Sequence, residues 1–455
     1  MIPFSKNTVK VIRQLGWRQY KFPISLASWY ISQKIGKTQF STRKYLSDRI
    51  YDEKLKELID RHGQDSIEVA SYLEKEADTL VKSAKYEDAV QRLLEARYIY
   101  QKQKMPASEF PLLLFLSKIY LKMNDLSRAI DCLQQYADIR LKVYEKKDQN
   151  LAIAYYRIGS IYYEEEDYKQ ALQYFKSSLE IENNLNIDQG KISLLEYRIA
   201  SCHYELGNFT EARDSIEKAM PYYATSDDKK ATYMVHHLAG LIYESLDDVD
   251  ESTIQLKKAL LAAEDGFRED SYEVAVAQYL LGKNEYRLDR VDQGIKYTKR
   301  AFDLFKKNLG DESNDLADAS YNLSIMYFKK HEFEKAREYL DLSMNIYKSL
   351  GKQNDIKYAL ALENEGMMLM SIQKTDEALS TFYKAIEAAD QVKDDKLRVS
   401  RIYLNIAKIL GEYFPTKVQD AILITEKVRN LFINEPNSDI YKEADLLLIA
   451  LHKAL

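Results

Sequence analysis

Residues 319–351 read ASYNLSIMYFKKHEFEKAREYLDLSMNIYKSLG, and this stretch decides the fold. Apolar and small residues recur three or four positions apart up to Tyr327 and again from Phe333 to Leu350, which is the spacing of one helix face. A short polar turn separates the two segments, and Gly351 follows the second. The pattern predicts two helices, at 319–327 and 333–350, whose apolar faces pack against each other.

The same pattern recurs nine times along the chain. In each copy a turn is followed by an apolar residue, two variable residues and a small residue that opens the second helix. The small residues are Ala89, Ala129, Ala171, Ala212, Ser252, Gly294, Ala336, Ala378 and Ala421. Neighbouring members lie 40 to 43 residues apart, a period typical of helical arrays. Because one helix pair cannot bury its apolar side alone, neighbouring pairs must stack.

A second column of small residues runs through the first helices. Its members are Gly159, Ala200, Gly240, Gly282, Ser324 and Gly366. We expect the two helices of each pair to cross closely at these positions. A bulky side chain there should overpack the joint, at a cost of about 1–3 kcal/mol.

The composition favours helices and gives no sign of strands. Only 14 Gly and 7 Pro occur in 455 residues, and 30% of the residues are charged. Two cysteines, Cys132 and Cys202, cannot build a disulfide framework, which favours a reducing compartment. No segment has the roughly 20 uninterrupted apolar residues of a membrane-spanning helix.

The repeat resembles the tetratricopeptide repeat. The consensus of that family has small residues at its eighth, twentieth and twenty-seventh positions and an aromatic residue at its eleventh, matched here by Gly159, Ala171, Ser178 and Tyr162. The unit is longer than the usual 34 residues. With linkers such as 309–312, it is most similar to the repeats of kinesin light chains, over about residues 65 to 435.

The resemblance implies an all-α protein, a right-handed α-solenoid of about nine tetratricopeptide-like helix pairs with a C-terminal capping helix. We divide the chain into a basic N-terminal segment at 1–47, an N-terminal capping helix at 48–64, the repeat array at 65–437 and the capping helix at 438–455. The last helix is predicted from an apolar stripe of six residues, Ile440, Ala444, Leu447, Leu448, Leu451 and Leu455.

One column of the first helices should line the inner groove of such an array. It lies two residues before the small column and holds Arg157, Arg198, Leu238, Leu280, Asn322, Asn364 and Asn405. An Asn amide carries both a donor and an acceptor, so a row of Asn can pair with the main chain of an extended peptide. In kinesin light chains and carboxylate-clamp tetratricopeptide domains Asn at this place does so, and the resemblance implies the same role here.

The two arginines of this column, Arg157 and Arg198, are expected to bind acidic side chains or a carboxylate. An alternative stays open, because exposed Asn and Arg on a helix face can be merely compatible with solvent. Tyrosines at 156, 197, 279 and 321 precede the groove position. We interpret them as packing between repeats, although stacking on RNA bases is a second interpretation.

The chemistry of an enzyme is missing from the sequence. The six histidines do not form a zinc-protease pattern, and there is no phosphate loop, dinucleotide fingerprint or nucleophile elbow. We therefore predict a protein that is not an enzyme, with no cofactor and no metal, that binds protein partners in its groove. The acidic repeat body argues against DNA binding.

The leader at 1–47 contains nine Lys or Arg and no Asp or Glu, so the remaining residues carry a net charge of −14 within a total of −5. Its apolar and basic residues fall on opposite helix faces, which predicts a mitochondrial transit peptide or an anchoring arm. A cytosolic arm that binds an acidic partner, a membrane surface or RNA is the alternative. A DNA-binding domain fits the apolar spacing poorly.

The sequence as a whole predicts an interaction scaffold or accessory subunit of a large assembly, in mitochondria. The alternative is a cytosolic cargo or signalling adaptor similar to kinesin light chains. An RNA-associated assembly factor that acts through the basic arm is the third hypothesis.

Overall fold

A computed structural model describes residues 53–145, 147–185, 188–353, 355–392 and 395–454 of the chain. These residues form 20 α-helices and no strand, so the predicted all-α class is confirmed. The basic leader at 1–47 and the last stripe residue, Leu455, lie outside the described residues.

The helices are α1 Glu53–His62, α2 Ile67–Lys82, α3 Tyr86–Lys102, α4 Glu109–Lys122, α5 Leu126–Tyr144, α6 Gln149–Glu164, α7 Tyr168–Leu185, α8 Gln189–Glu205, α9 Phe209–Ala224, α10 Lys229–Ser245, α11 Val249–Gly266, α12 Tyr272–Arg287, α13 Val291–Leu309, α14 Asn314–Lys329, α15 Phe333–Ser349, α16 Ile356–Ser371, α17 Thr375–Asp390, α18 Lys396–Tyr413, α19 Val418–Leu431 and α20 Asp439–Ala454. Two short 3₁₀ helices lie at Pro106–Ser108 and Pro415–Lys417.

The chain divides into two compact units between Thr225 and Ser226. We call the described residues of 53–225 the N-terminal unit, which holds α1 and the four pairs from α2/α3 to α8/α9. Those of 226–454 form the C-terminal unit, which holds the five pairs from α10/α11 to α18/α19, and α20. Within each unit the second helix of a pair contacts the first helix of the next, so the predicted α-solenoid is confirmed.

Most first helices begin at a side-chain cap. Ser313, for example, precedes α14, and its hydroxyl oxygen accepts a hydrogen bond from the backbone N–H of Leu316 at 3.2 Å. Ser or Asp caps α2, α6, α8, α10, α12, α16 and α18 in the same way. Such a cap satisfies one of the free N–H groups of the first turn, so each repeat fixes the start of its own first helix.

The turn inside the first eight of the nine pairs repeats one backbone conformation. A residue with positive φ follows the first helix at Ala84, Asn124, Glu166, Gly207, Asp247, Asp289, His331 and Gln373. The next N–H bonds back to a carbonyl five residues earlier, as from Glu332 to Tyr327 at 3.0 Å. This is the Schellman arrangement, which usually uses glycine at the left-handed position. Only Gly207 of the eight is glycine, so the other turns hold a side chain in a left-handed conformation.

The column of small residues lies where the two helices of a pair meet. A Cβ added to Gly159 would stand 2.9 Å from the ring of Phe175, and one added to Gly240 would stand 2.6 Å from the side chain of Leu256. Ala200 and Ser324 in the same column are fully buried. The helices therefore cross too closely for larger side chains, as the sequence predicts.

The terminal helices cover the ends of the two units. In α20 four residues of the apolar stripe, Ile440, Ala444, Leu448 and Leu451, are buried in the core of the C-terminal unit, and Leu447 packs against it. At the other end, Leu55 of α1 is 1% exposed within the core of the N-terminal unit. Both helices bury one apolar face on a neighbouring pair.

Candidate partner-binding rows on the first helices

Successive first helices of the C-terminal unit lie side by side. Helix α14 contacts α12 and α16, and α16 contacts α18. We call the surface formed by these helices the first-helix row of the C-terminal unit, and the surface formed by α6 and α8 the first-helix row of the N-terminal unit. The residues that the sequence assigns to partner binding lie on these two rows.

The three asparagines join neighbouring first helices. The Nδ2 of Asn322 on α14 donates to the hydroxyl of Tyr279 on α12 at 2.8 Å. One repeat later, the Nδ2 of Asn364 on α16 donates to the hydroxyl of Tyr321 on α14 at 2.6 Å. The Nδ2 of Asn405 on α18 then donates to Glu363 Oε1 at 3.0 Å. The amides therefore bond along the row and link each repeat to the one before it.

All of these bonds use the amide nitrogen of an asparagine. Among the described residues, the three amide oxygens accept no hydrogen bond. Asn364 donates its second N–H to the carbonyl of Leu360 at 2.9 Å, so its donors are fully occupied. Asn322 and Asn364 are half-buried, and Asn405 is exposed. An amide oxygen accepts hydrogen bonds, so the row offers a partner mainly acceptors. The sequence alone suggests both donors and acceptors.

The tyrosines beside the asparagines belong to the core. Tyr197, Tyr279 and Tyr321 are between 5% and 7% exposed, and the Tyr279 ring lies 6.1 Å from the ring of Phe305. Burial raises the pKa of Tyr321 far above its ordinary value, despite the hydrogen bond from Asn364. The three rings are therefore part of the core, and the hydroxyls of Tyr279 and Tyr321 accept the hydrogen bonds of the row.

The two arginines of the N-terminal row, Arg157 and Arg198, have no acidic partner among the described residues. Arg198 on α8 is half-buried, and its guanidinium faces the hydroxyl of Tyr156 on α6, the same position that Asn322 takes beside Tyr279. Its Nε has no hydrogen-bond partner among the described residues. Arg157 is also half-buried, and within the described ranges neither arginine forms an ion pair. By contrast, Arg97 pairs with Glu109 at 2.8 Å.

The column predicted to line the groove is not polar and accessible in every repeat. Leu238 and Leu280 are 8% and 0% exposed and belong to the core. Polar groups of the column therefore occur in two sets, Arg157 with Arg198 in the N-terminal unit and Asn322, Asn364 and Asn405 in the C-terminal unit. The structure brings the members of each set onto neighbouring helices.

Sequence reasoning missed one polar residue of the C-terminal row, Glu363. It occupies the column of Tyr279 and Tyr321, one residue before Asn364, and is 8% exposed. Burial raises the pKa of its carboxyl to about 7, although the hydrogen bond from Asn405 favours the charged form. The signal was available, because Glu363 stands in a column that holds tyrosine in four other repeats.

A second missed feature is a buried ion pair under the same row. Asp318 on α14 and Lys357 on α16 pair directly, and each side chain is 9% exposed. The hydroxyl of Tyr347 donates to the other oxygen of Asp318 at 2.6 Å. The pair joins two consecutive repeats, as the asparagines do on the surface.

The described ranges hold neither a cluster of metal ligands nor a helix that could span a membrane. Within those ranges, no three His, Cys, Asp or Glu side chains are placed to share a metal ion. None of the helices α1 to α20 combines the length and apolarity needed to cross a bilayer.

Comparison with known proteins supports the repeat assignment. A family profile described as tetratricopeptide repeat matches residues 108–183 and 273–349. The protein kinesin light chain-related 3 of Arabidopsis thaliana is 21% identical over 351 residues, which cover 76% of this chain and 54% of that protein. A clustered mitochondria protein homolog of Emericella nidulans is 22% identical over 166 residues, 34% of this chain and 13% of that protein. The chain thus spans about half the length of the kinesin-light-chain relative.

Among solved structures, the apo form of RapI superposes with a TM-score of 0.45 at 12% identity, covering 67% of this chain and 98% of that one. The family profile, the kinesin-light-chain relative and the helix pairs agree on the nature of the repeats. The chain is a tetratricopeptide-repeat protein, and its long repeats are similar to those of kinesin light chains.

Proposed function

We propose that the chain is a non-catalytic scaffold that holds an extended segment of a partner protein on its first-helix rows. The observation that carries this proposal is the unused bonding capacity of both rows. In the described residues, the amide oxygens of Asn322, Asn364 and Asn405 accept no hydrogen bond, and Arg157 and Arg198 form no ion pair. Tetratricopeptide repeats are interaction modules, which favours a protein ligand.

The two rows would bind different groups of a partner. Amide oxygens accept from the backbone N–H groups of an extended segment, without selecting its side chains. Guanidinium groups bind carboxylates, often through two hydrogen bonds at once. We therefore infer that the N-terminal row binds an acidic group of the partner segment. The C-terminal row binds backbone N–H groups of that segment.

The residues of the rows also argue against catalysis. Amides and guanidinium groups do not act as nucleophiles, and neither exchanges protons at neutral pH. We propose a role in assembly rather than in turnover, with no cofactor.

Substitution of the three asparagines tests the C-terminal row. The variant N322A/N364A/N405A should lose most of its co-purifying partners, about tenfold or more, because three acceptors are removed at about 1 kcal/mol each. Partner retention is measured by affinity purification of the full chain and quantitative mass spectrometry. The same preparation is checked for unchanged helicity by circular dichroism.

A matched control separates binding from packing. The variant Y279F/Y321F removes the hydroxyl partners of Asn322 and Asn364 and keeps the amides. It should retain partners better than the triple variant does. If the triple variant keeps its partners, or if both variants lose them equally, the C-terminal row is not the binding surface.

We further propose a mitochondrial location, on the basis of the basic leader at 1–47. A cytosolic adaptor is the second candidate, favoured by the similarity to kinesin-light-chain-related 3. An RNA-associated role through the basic leader is the third. Fusion of residues 1–47 to a fluorescent protein should give a mitochondrial signal, and a diffuse cytosolic signal would favour the adaptor.

A further inference from the structure

Glu363 is a carboxyl group placed where the repeat normally holds a tyrosine. Tyr279 and Tyr321 occupy its column in the two preceding repeats, and both are buried. Glu363 is as buried as they are, at 8% exposed. Removing a carboxylate from water is costly unless a cation or several donors replace the water. Its position therefore requires an explanation that packing does not supply.

The other buried carboxylates of the C-terminal unit have cations, and Glu363 does not. Glu285 pairs with Lys257 at 3.1 Å and with Arg290 at 3.2 Å. Asp318 pairs with Lys357. Within the described residues Glu363 forms no ion pair, and Asn405 is its hydrogen-bond donor.

The surroundings of Glu363 are neutral. The side chains that face it are Tyr321 from α14 and Asn405 from α18, and neither carries a charge at neutral pH. Burial accordingly raises the pKa of Glu363 to about 7. A cation brought against this carboxyl would favour its charged form and would replace the missing counter-charge.

The carboxyl also lies within reach of the row. Its hydrogen-bond donor, Asn405, is exposed, and the adjacent Asn364 is half-buried on the same helix as Glu363. The acceptors nearest to a bound segment at this point are thus the free oxygen of Glu363 and the amide oxygen of Asn405. This set of acceptors matches the planar fork of donors on an arginine side chain.

We propose that Glu363 and Asn405 form a subsite for a basic side chain, arginine in preference to lysine, of the segment bound on the C-terminal row. The inference rests on the proposed function, since it assigns one position of that row. It gives the row a charge preference that the asparagines alone do not provide.

Selection from a phage-displayed library of random dodecapeptides on the full chain tests the subsite. Peptides selected on the wild type should be enriched in arginine or lysine at one register. The enrichment should disappear on E363Q and on E363Y, which restores the residue of the neighbouring repeats. It should persist on E365Q, because Glu365 is a half-buried carboxyl of the same helix that faces Lys384 and Asp341 instead.

A selected peptide and its citrulline analogue then test the charge itself. Citrulline keeps the shape of arginine and removes its positive charge. E363Q should weaken the binding of the arginine peptide by about tenfold, or about 1.4 kcal/mol. It should leave the affinity for the citrulline peptide unchanged. Wild-type affinity for the arginine peptide should rise from pH 6 to pH 8 as Glu363 ionises, and that of E363Q should not.

The outcomes separate the two proposals. If no peptide is selected on the wild type, the proposed function fails and the subsite fails with it. If peptides are selected without basic enrichment, or if E363Q weakens the arginine and citrulline peptides equally, the row binds peptides and the subsite is wrong.

Discussion

The N-terminal and C-terminal units place different chemistry at the same point of the same repeat. In the N-terminal unit the hydroxyl of Tyr156 faces the guanidinium of Arg198. In the C-terminal unit the hydroxyl of Tyr279 accepts from the amide of Asn322. The tyrosine is common to both units, and its partner changes from a cation to a neutral group.

The difference shows that the packing of the helices and the chemistry of the rows are separable in this array. Small residues and buried tyrosines hold the helices together in both units, and the next residue along the helix is free to vary. A tyrosine hydroxyl accepts equally from a guanidinium or an amide, so either partner keeps the joint intact. The charge of a row can therefore change without a change of fold.

The largest expected effect concerns the buried ion pairs of the two units. K357M leaves Asp318 buried without its cation and should cost about 3–5 kcal/mol of unfolding free energy. R97M in the N-terminal unit should cost less, because the Arg97 side chain is 16% exposed and that of Lys357 is 9% exposed, so water reaches the charge left on Glu109 more easily. Urea unfolding followed by circular dichroism gives both values.

The double variant D318N/K357M is the control for this pair. It removes both charges and keeps an acceptor for Tyr347, so it should recover most of the lost stability. A double variant as unstable as K357M, or an R97M variant less stable than K357M, would show that charge is not the cause of the difference.

The second effect depends on pH. The ordinary pKa of Glu363 in the unfolded chain is 4.5, and burial raises the folded value to about 7. Between these values the unfolded chain releases a proton that the folded chain keeps, so stability falls as pH rises. The full loss should be about 3 kcal/mol above pH 7.

E363Q lacks this titration, so it should match the wild type near pH 4.5 and be more stable at pH 8. The comparison is made by urea unfolding at a series of pH values. Y197F, at the equivalent position of the N-terminal unit, should follow the pH profile of the wild type. A stability difference between E363Q and wild type that does not change with pH would contradict the assignment.

The third effect compares the small residues of the two units. A Cβ on Gly159 would lie 2.9 Å from the ring of Phe175, and one on Gly366 would lie closer still to the ring of Phe382. G366A should therefore cost more than G159A, within about 1–3 kcal/mol of overpacking. Thermal unfolding of the two single variants tests the order. The reverse order would mean that the ring of Phe382 moves aside more easily than that of Phe175.

The smallest effect concerns the hydroxyls along the rows. Y279F deprives Asn322 of its partner and should cost about 1 kcal/mol, whereas Y321F should cost about 0.5 kcal/mol because Asn364 still donates to the carbonyl of Leu360. Y156F in the N-terminal unit removes the hydroxyl that Arg198 faces and should also lower the unfolding free energy by about 1 kcal/mol. The cost stays this small because Arg198 is only half-buried, so water can replace the lost hydroxyl. Urea midpoints distinguish these values. Equal costs for Y279F and Y321F would mean that the bond to Leu360 does not compensate.

The seventh repeat shows how far sequence reasoning extends. The second helix, predicted at 333–350, spans Phe333–Ser349, whereas the first, predicted at 319–327, begins at Asn314 and ends at Lys329. The prediction for the first helix was too short because it followed only the apolar stripe. The helix begins earlier, at the residue after its N-cap. Ser313 carries the cap signal. The left-handed residue His331 gives no comparable signal, because its conformation is set by the two helices it joins.

The candidate site was predictable in position and only partly in chemistry. The spacing placed Asn322 and Asn364 on neighbouring first helices, which the structure shows. It did not show that Asn364 already uses both of its donors, on Tyr321 and Leu360, or that Asn322 uses one of its donors on Tyr279. The two bonds to tyrosine join residues 43 positions apart, and no local pattern reports them.

The sequence by itself determined the repeat, the helix pairs and the positions that must be small, because each of these follows from a periodic pattern within one or two units of the array. Only the tertiary structure decided which polar groups remain free. Whether Asn364 offers a donor, whether Glu363 has a cation and whether Lys357 reaches Asp318 all depend on side chains one repeat away. Such pairings are fixed by how repeats stack, and they set the burial and charge that a partner meets.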